Sequence, residues 1–294
     1  MRRAQRYYLA AVNRILAVCV LGALALASGC NQKVKTATAT DAGGLPRFHR
    51  AARIGDIAAV QTMLKEGVSP DLRDADGVTA LHRAVRDGKL DVAQVLLDAN
   101  ANTNLATATG WTPLHLAVKY DRRDAVELLM RYNADANMKT PDGYLPLTAA
   151  IRSGNNEITQ LLIAEWPVWK HVPIVQDGKV VAYETQTTGT RVADVNIIDG
   201  EGVTPLWLAV AANDYGLITD LLFKGADVNA KVKNGRTVLH LAAEQGTEYC
   251  VTTLLERNAF AGARDDKNES PFTVAQRRGD QKIMQLLWER GGRP

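Results

Sequence analysis

Short amphipathic segments recur in pairs along most of this chain. In the stretch 112–119 the apolar residues Leu114, Ala117 and Val118 fall at the spacing of one helical face. A second apolar segment follows each first one, as in residues 91–97, where Val92, Val95 and the Leu-Leu pair lie close together. The pattern therefore predicts two short helices per unit, with turns between them.

The predicted helices carry recognisable start and stop signals. Thr or Ser precedes most first helices, where a side-chain oxygen caps backbone N–H groups, and Pro often follows at the first helical turn. Glycine closes five of the first helices, and six of the seven second helices end on Gly or Asn, the two residues that tolerate a left-handed backbone, whereas repeat four has Trp166 there. These second-helix stops are Gly67, Asn100, Asn133, Gly225, Asn258 and Gly291.

A 33-residue period joins these units into an array. Six tetrapeptides of related composition mark it, at Thr79–His82, Thr112–His115, Leu145–Thr148, Thr204–Trp207, Thr237–His240 and Ser270–Thr273. Phe48 and His49 mark a degenerate first copy, 33 residues before Leu81 and His82. One helix pair cannot cover its own apolar face, so the units are expected to stack into a solenoid.

The period, the Thr-Pro-Leu-His motif, the Leu-Leu pairs and the Gly-Ala-Asp-Val-Asn segment at 225–229 resemble the ankyrin repeat family. The resemblance covers about 250 residues and implies an all-α ankyrin-repeat solenoid of about seven helix-turn-helix units that binds proteins without catalysis. It also implies a structural role for the histidine of the motif, which ties a helix start to neighbouring loops. These histidines are His49, His82, His115 and His240. Each lies on a different repeat without a second ligand beside it, so no metal site is expected.

The period is interrupted once, after the second helix of repeat four. The spacing from Leu145 to Thr204 is 59 residues, which is 33 + 26, and alignment places the extra segment at 167–192. Residues 172–176 and 179–184 are strand-like around the turn Asp177-Gly178, which predicts a β-hairpin of uninterrupted register. In that register Val172, Ile174, Val181 and Tyr183 would share one face.

A lone hairpin is marginally stable in water and needs a surface to lie on. Trp166, Trp169 and Trp207 favour packing against the array itself over a free docking arm. The insertion also holds His171, the residue on which an enzymatic alternative would depend. Because no catalytic motif accompanies it, we expect no enzyme activity and no cofactor.

The N-terminus has the features of a bacterial lipoprotein signal. Four arginines without an acid precede the apolar run 15–27, which is too short for a membrane span, and Ser28-Gly29-Cys30 follows. The resemblance to a lipobox implies cleavage before Cys30 and a lipid on its sulfur, with plain secretion or an uncleaved anchor as alternatives. The predicted organisation is a signal peptide at 1–29, a flexible linker at 30–44 and the repeat array at 45–294.

Removing the signal changes the charge of the chain. The mature protein would hold 35 − 4 = 31 basic and 32 acidic residues, a net charge of −1, so general binding of nucleic acid is not expected. With Cys30 acylated, Cys250 is the one remaining cysteine and an intramolecular disulfide is excluded.

Residue-by-residue transfer of the ankyrin binding surface selects two groups of side chains. Trp111 and Tyr144 occupy turn tips, and Tyr120 follows a first-helix position. A basic ladder occupies the first-helix position of four consecutive repeats, at Arg53, Arg86, Lys119 and Arg152, and would steer an acidic partner. The alternative interpretation is a solvated face that only maintains solubility.

The sequence therefore predicts a non-catalytic protein-interaction module that takes no small-molecule substrate. As a lipid-anchored protein facing the periplasm, with the outer membrane favoured, it would hold one specific partner. Two alternatives stay open, an inhibitor or immunity-type protein that blocks a toxin or hydrolase, and an enzyme that uses the insertion.

Overall fold

The computed structural model of the chain describes residues 46–176 and 179–294, and for residues 169–186 within that range it describes backbone alone. The predicted signal at 1–29, the acylation site Cys30 and the linker lie outside the described residues, as does the predicted turn at 177–178. No helix in the described ranges combines the length and apolarity needed to cross a bilayer.

Fourteen α-helices occur in the described residues, as seven pairs with odd-numbered first helices and even-numbered second helices. The first helices are α1 (Arg47–Ile54), α3 (Ala80–Arg86), α5 (Pro113–Lys119), α7 (Pro146–Arg152), α9 (Pro205–Ala211), α11 (Val238–Gln245) and α13 (Pro271–Arg278). The second helices are α2 (Ile57–Lys65), α4 (Leu90–Asp98), α6 (Arg123–Arg131), α8 (Asn156–Ile163), α10 (Tyr215–Phe223), α12 (Glu248–Glu256) and α14 (Gln281–Glu289). The predicted fold class, an array of helix pairs with a hairpin after the fourth pair, is confirmed.

The local signals act as expected. The hydroxyl of Thr79 accepts a hydrogen bond from the His82 backbone N–H, and Thr112, Thr204 and Ser270 cap their helices in the same way. All six predicted second-helix stops have φ between 63° and 90°. The chain therefore turns at these residues because Gly and Asn accept the left-handed backbone at least cost.

The chain divides into two compact units. Unit 1 holds the described residues up to Asp135 together with Glu165–Arg191, which are the first three helix pairs and the hairpin. Within it α1, α3 and α5 pack side by side, as do α2, α4 and α6. Leu81, Leu96, Leu114 and Leu129 are fully buried between them. Burying one leucine side chain contributes roughly 1.5–3 kcal/mol, so stacking of neighbours supplies the stability that one pair lacks.

Unit 2 comprises Ala136–Ala164 and Val192–Pro294, which hold the last four helix pairs. Its first helices α7, α9, α11 and α13 pack in succession, and α12 packs on α14. The leucine positions repeat, with Leu206, Leu221, Leu239 and Leu254 buried. Cys250 is also completely buried in this core, and burial raises the pKa of its thiol to about 11.

The insertion forms an antiparallel hairpin of β1 (Trp166–Gln176) and β2 (Lys179–Arg191). Both strands are longer than predicted, because pairing continues from the tip to Trp166 and Arg191 at the base. The prediction of an uninterrupted register is wrong. Val175 pairs with Val180, but Ile174 then pairs with Ala182, and a second irregularity lies between Val168 and Trp169. One extra residue in β2 at each irregularity shifts all pairs beyond it.

The base of the hairpin lies on unit 1. Strand β1 contacts α6, and the Arg191 guanidinium donates a hydrogen bond to the Asn133 carbonyl just after that helix. The predicted packing of the hairpin on the repeats thus occurs at its base. In unit 2, Trp207, which replaces the usual histidine of the motif, has the guanidinium carbon of Arg236 6.0 Å from its ring centroid.

Candidate protein-interaction surface

Buried histidines hold the turn tips of unit 1 in place. The His82 ring nitrogen Nδ1 accepts from the Thr79 backbone N–H at 3.2 Å, which assigns the ring proton to Nε2. Nε2 then donates to the Trp111 carbonyl of the next repeat at 3.0 Å. His49 bonds the Val78 carbonyl at 2.9 Å in the same manner. Each tip is therefore fixed by the repeat that precedes it.

The same arrangement occurs in unit 2. His240 Nδ1 accepts from the Thr237 backbone N–H at 3.1 Å, and Nε2 bonds the Glu269 carbonyl at 3.0 Å. Burial lowers the pKa of His49, His82 and His240, for His82 to about 4, which keeps the rings neutral at physiological pH. No group of three or more metal-ligating side chains occurs within the described part of the chain.

Trp111 lies at a turn tip of unit 1 but is half-buried rather than fully exposed. Its turn is closed by hydrogen bonds with Thr107, from the Thr107 N–H to the Trp111 carbonyl at 2.8 Å and from the Trp111 N–H to the Thr107 hydroxyl at 3.1 Å. The indole meets the His115 ring edge-on with centroids 5.8 Å apart, and the Lys119 ammonium lies 4.5 Å from its centroid. One predicted aromatic tip and one predicted cation thus form a single cation–π pair.

Tyr144, the second predicted aromatic tip, belongs to unit 2. It is also half-buried, and its N–H donates to the Thr140 hydroxyl at 2.8 Å. Desolvation raises the pKa of the Tyr144 phenol to about 12, so the side chain is neutral at all physiological pH values.

The predicted basic ladder is not uniform. Arg53 is exposed at the end of α1, whereas Arg86 donates two hydrogen bonds, at 2.8 and 3.1 Å, to the carboxylate of its neighbour Asp87. Lys119 is exposed and lies over Trp111. Among the described residues, the ladder of unit 1 therefore supplies two cations that form no ion pair, Arg53 and Lys119, and one that does, Arg86.

Arg152 forms the ladder position of unit 2. Its guanidinium binds Asp199 at 2.6 Å and Glu201 at 3.0 Å. The Asp199 carboxylate is only 5% exposed and also accepts the backbone N–H groups of Glu201 and Val203. Arg152 is thus part of a structural ion pair in this unit.

Large apolar side chains stand beside the unit 1 cations. Tyr120, a predicted site residue, is 43% exposed directly after α5, and Ile54 is 57% exposed at the end of α1. The position of Ile54 was visible in the sequence, immediately after Arg53, but an isolated exposed isoleucine gives no functional signal by itself. The two residues occupy the same place in repeats one and three.

A set of asparagines that the sequence reasoning missed links the loops of adjacent repeats. Asn229 Oδ1 accepts the Phe260 N–H at 2.8 Å, and its amide donates to the Asn258 carbonyl at 3.2 Å. Asn196 makes the matching contacts to Asp227 and Gly225. The recurrence of asparagine at Asn104, Asn137, Asn196 and Asn229 was the available signal. These residues brace the loops and take no part in the candidate surface.

Stacked helix pairs with hydrogen-bonded tips define a helical-repeat module, a class of protein that presents a long surface to other macromolecules. The chain belongs to the ankyrin repeat family, since residues 48–140, 101–172, 128–232 and 206–294 match the family described as "Ankyrin repeats (3 copies)". This membership indicates a protein–protein interaction module, and members of the family are generally non-catalytic.

Solved structures show the same fold. The ankyrin repeat domain of Bcl-3, described as a unique member of the IkappaB protein family, is 25% identical, with a TM-score of 0.65 over 83% of this chain and 99% of that one. The human ASB11 ankyrin repeat domain is 23% identical, with a TM-score of 0.51 over 85% of this chain and 100% of that one. A search of curated proteins finds no match.

Proposed function

We propose that this chain is a non-catalytic scaffold, tethered to the bacterial outer membrane through a lipid on Cys30 and facing the periplasm, that binds one specific protein through unit 1. The basic and apolar sequence before Cys30 supports the tether. The Thr-, Ala- and Gly-rich sequence of residues 31–44 supports a linker between the anchor and the repeats.

The observation that carries the binding proposal is the exposure of Tyr120 and Ile54 beside Trp111, Lys119 and Arg53. Tyr, Trp and Arg are enriched among residues that dominate binding energies, and tyrosine brings a large surface at low entropic cost. Trp111 lies at a tip held by the His82 bond, and the other four side chains lie on or directly after the packed helices α1 and α5, so the surface is formed before a partner arrives. A preformed surface loses little entropy on binding.

Comparison of two tyrosine variants tests the surface. Tyr120 and Tyr215 are both 43% exposed, but Tyr215 lies on the second helix α10 of unit 2, against Tyr249. We expect Tyr120→Ala to weaken crosslinked capture of the envelope partner at least about fivefold, the effect of 1 kcal/mol, and Tyr215→Ala to leave it unchanged. Equal capture by wild type and Tyr120→Ala would refute binding through unit 1.

The tether has its own test. Metabolic labelling with a radioactive fatty acid is expected to mark the wild-type protein and not Cys30→Ala. Continued labelling of Cys30→Ala would place the lipid elsewhere and contradict the proposed anchor.

A further inference from the structure

The same repeat position is electrostatically different in the two units. In unit 2, Arg152 binds Asp199 and Glu201, and Arg277 binds both carboxylate oxygens of Glu269 at 2.7 and 3.2 Å. The cations of first helices α7 and α13 are therefore neutralised by acids of turn tips. A partner that approached these positions would find little charge to recognise.

Unit 1 lacks this compensation at two of its three positions. Neither Arg53 nor Lys119 forms an ion pair within the described ranges, and Trp111 occupies the tip position beside Lys119 that Glu269 occupies beside Arg277. The guanidinium of Arg86, on the repeat between them, is paired with the carboxylate of Asp87. We call the side chains of Arg53, Ile54, Lys119 and Tyr120 the first-helix rim.

The rim combines charge and apolar surface in a fixed order. A cation is followed directly by a large apolar side chain at the end of α1 and again at the end of α5, two repeats away. Packed helices lie 8–10 Å apart, so the two cations stand about 20 Å from each other. An extended segment rises about 3.3 Å per residue and would cross this distance in about six residues.

Resting on the proposed function, we infer that the partner presents an acidic, extended segment to the rim, with carboxylates about six residues apart at Arg53 and Lys119 and apolar side chains over Ile54 and Tyr120. Nucleic acid fits less well, since its binding rests largely on Lys and Arg contacts to phosphates and the rim supplies only two cations beside apolar side chains. Opposite charges would mainly speed and orient the encounter, and the apolar contacts would hold it.

Short fluorescent peptides test this chemistry with full-length protein in detergent. One peptide carries two glutamate pairs separated by about six leucine and serine residues, and its control carries glutamine in place of each glutamate. Fluorescence anisotropy is expected to show binding of the acidic peptide that weakens as the salt concentration rises from about 0.1 M to about 1 M, where the Debye length is about 3 Å. Equal affinity for both peptides would overturn the inference.

Matched glutamine variants locate the binding. Arg53→Gln/Lys119→Gln is expected to weaken binding of the acidic peptide by roughly two- to thirtyfold, the loss that corresponds to two exposed ion pairs. Arg277→Gln, at the equivalent position of repeat seven, is expected to have no effect. If Arg277→Gln weakens binding as much, the rim is not the site. Binding of anionic phospholipid vesicles through the same two cations, without binding of the peptide, would assign the rim to a membrane and overturn the inference.

The capture experiment separates this inference from the proposed function. If Tyr120→Ala loses the envelope partner while Arg53→Gln/Lys119→Gln retains it, the acidic segment is refuted and the scaffold proposal stands. If Tyr120→Ala retains the partner, the proposed binding through unit 1 is refuted whatever the result for Arg53→Gln/Lys119→Gln.

Discussion

Acidification should destabilise unit 1 through His82, a completely buried imidazole. Burial lowers the pKa of His82 from 6.5 to about 4, so the unfolded chain binds a proton that the folded chain rejects. The contribution of this group to stability is complete above pH 6.5 and is lost progressively as the pH falls towards 4.

The size of the effect follows from the two pKa values. A shift from 6.5 to about 4 corresponds to about 3 kcal/mol once the pH is well below 4, and to about 2 kcal/mol between pH 7 and pH 4.5. The physical origin is the neutral ring, whose Nδ1 must accept from Thr79 while Nε2 donates to the Trp111 carbonyl. A protonated ring has no acceptor for the Thr79 N–H, and its charge would lie in the core.

Two measurements check this prediction. An NMR titration of the imidazole should place its pKa well below 5, and amide exchange in α3 should accelerate between pH 7 and pH 4.5 beyond the intrinsic pH dependence. The His82→Gln variant is less stable at pH 7 but should lose this part of the acid sensitivity, which separates His82 from His49, His240 and the carboxylates. A measured pKa near 6.5, or an equal acid response of wild type and variant, would refute the reasoning. Local exchange suits a repeat protein, because its units can open separately.

Three further predictions concern unit 2. Gly143→Ala should lower the free energy of unfolding by about 3 kcal/mol, because the new methyl group would lie 2.2 Å from the Gly200 Cα. The methyl group of Gly154→Ala would meet nothing within 4 Å, so this variant should lose only about 1 kcal/mol through backbone strain. Urea denaturation distinguishes the two variants. Arg152→Gln should lower the melting temperature, because the buried Asp199 carboxylate loses its cation, and should leave partner capture intact. An unchanged melting temperature with weaker capture would assign Arg152 to the binding surface. Asn229→Ala removes two loop-bridging hydrogen bonds and should cost about 1–3 kcal/mol, measurable as faster amide exchange in the flanking loops; unchanged exchange would contradict a bracing role.

Features set by one or two neighbouring residues were predictable from the sequence. The second-helix stops are an example, because Asn100 and Asn133 adopt the left-handed backbone that their residue type and position indicated. The threonine caps are another, since Thr79 needs only the helix that follows it. The 33-residue period then fixed how such local units must combine.

Features that depend on distant residues were not predictable in this way. The sequence placed Arg152 in a binding ladder. Its ion-pair partner Asp199 lies 47 residues away, beyond the inserted hairpin, so no local pattern revealed the pair. The half-burial of Trp111 depends on where Lys119 and His115 place their side chains, which a turn signal does not encode. The shifts in strand register arise where β2 holds an extra residue, and the alternation of apolar residues in the two strands did not reveal them.

The histidine and asparagine bonds share one span. His82 reaches the Trp111 carbonyl and Asn229 reaches the Asn258 carbonyl, each 29 residues towards the C-terminus. These bonds need only the neighbouring repeat, so each newly emerging repeat completes the one made just before it. Contacts of short sequence separation allow rapid folding, so a polypeptide threaded out from its N-terminus can close its structure step by step.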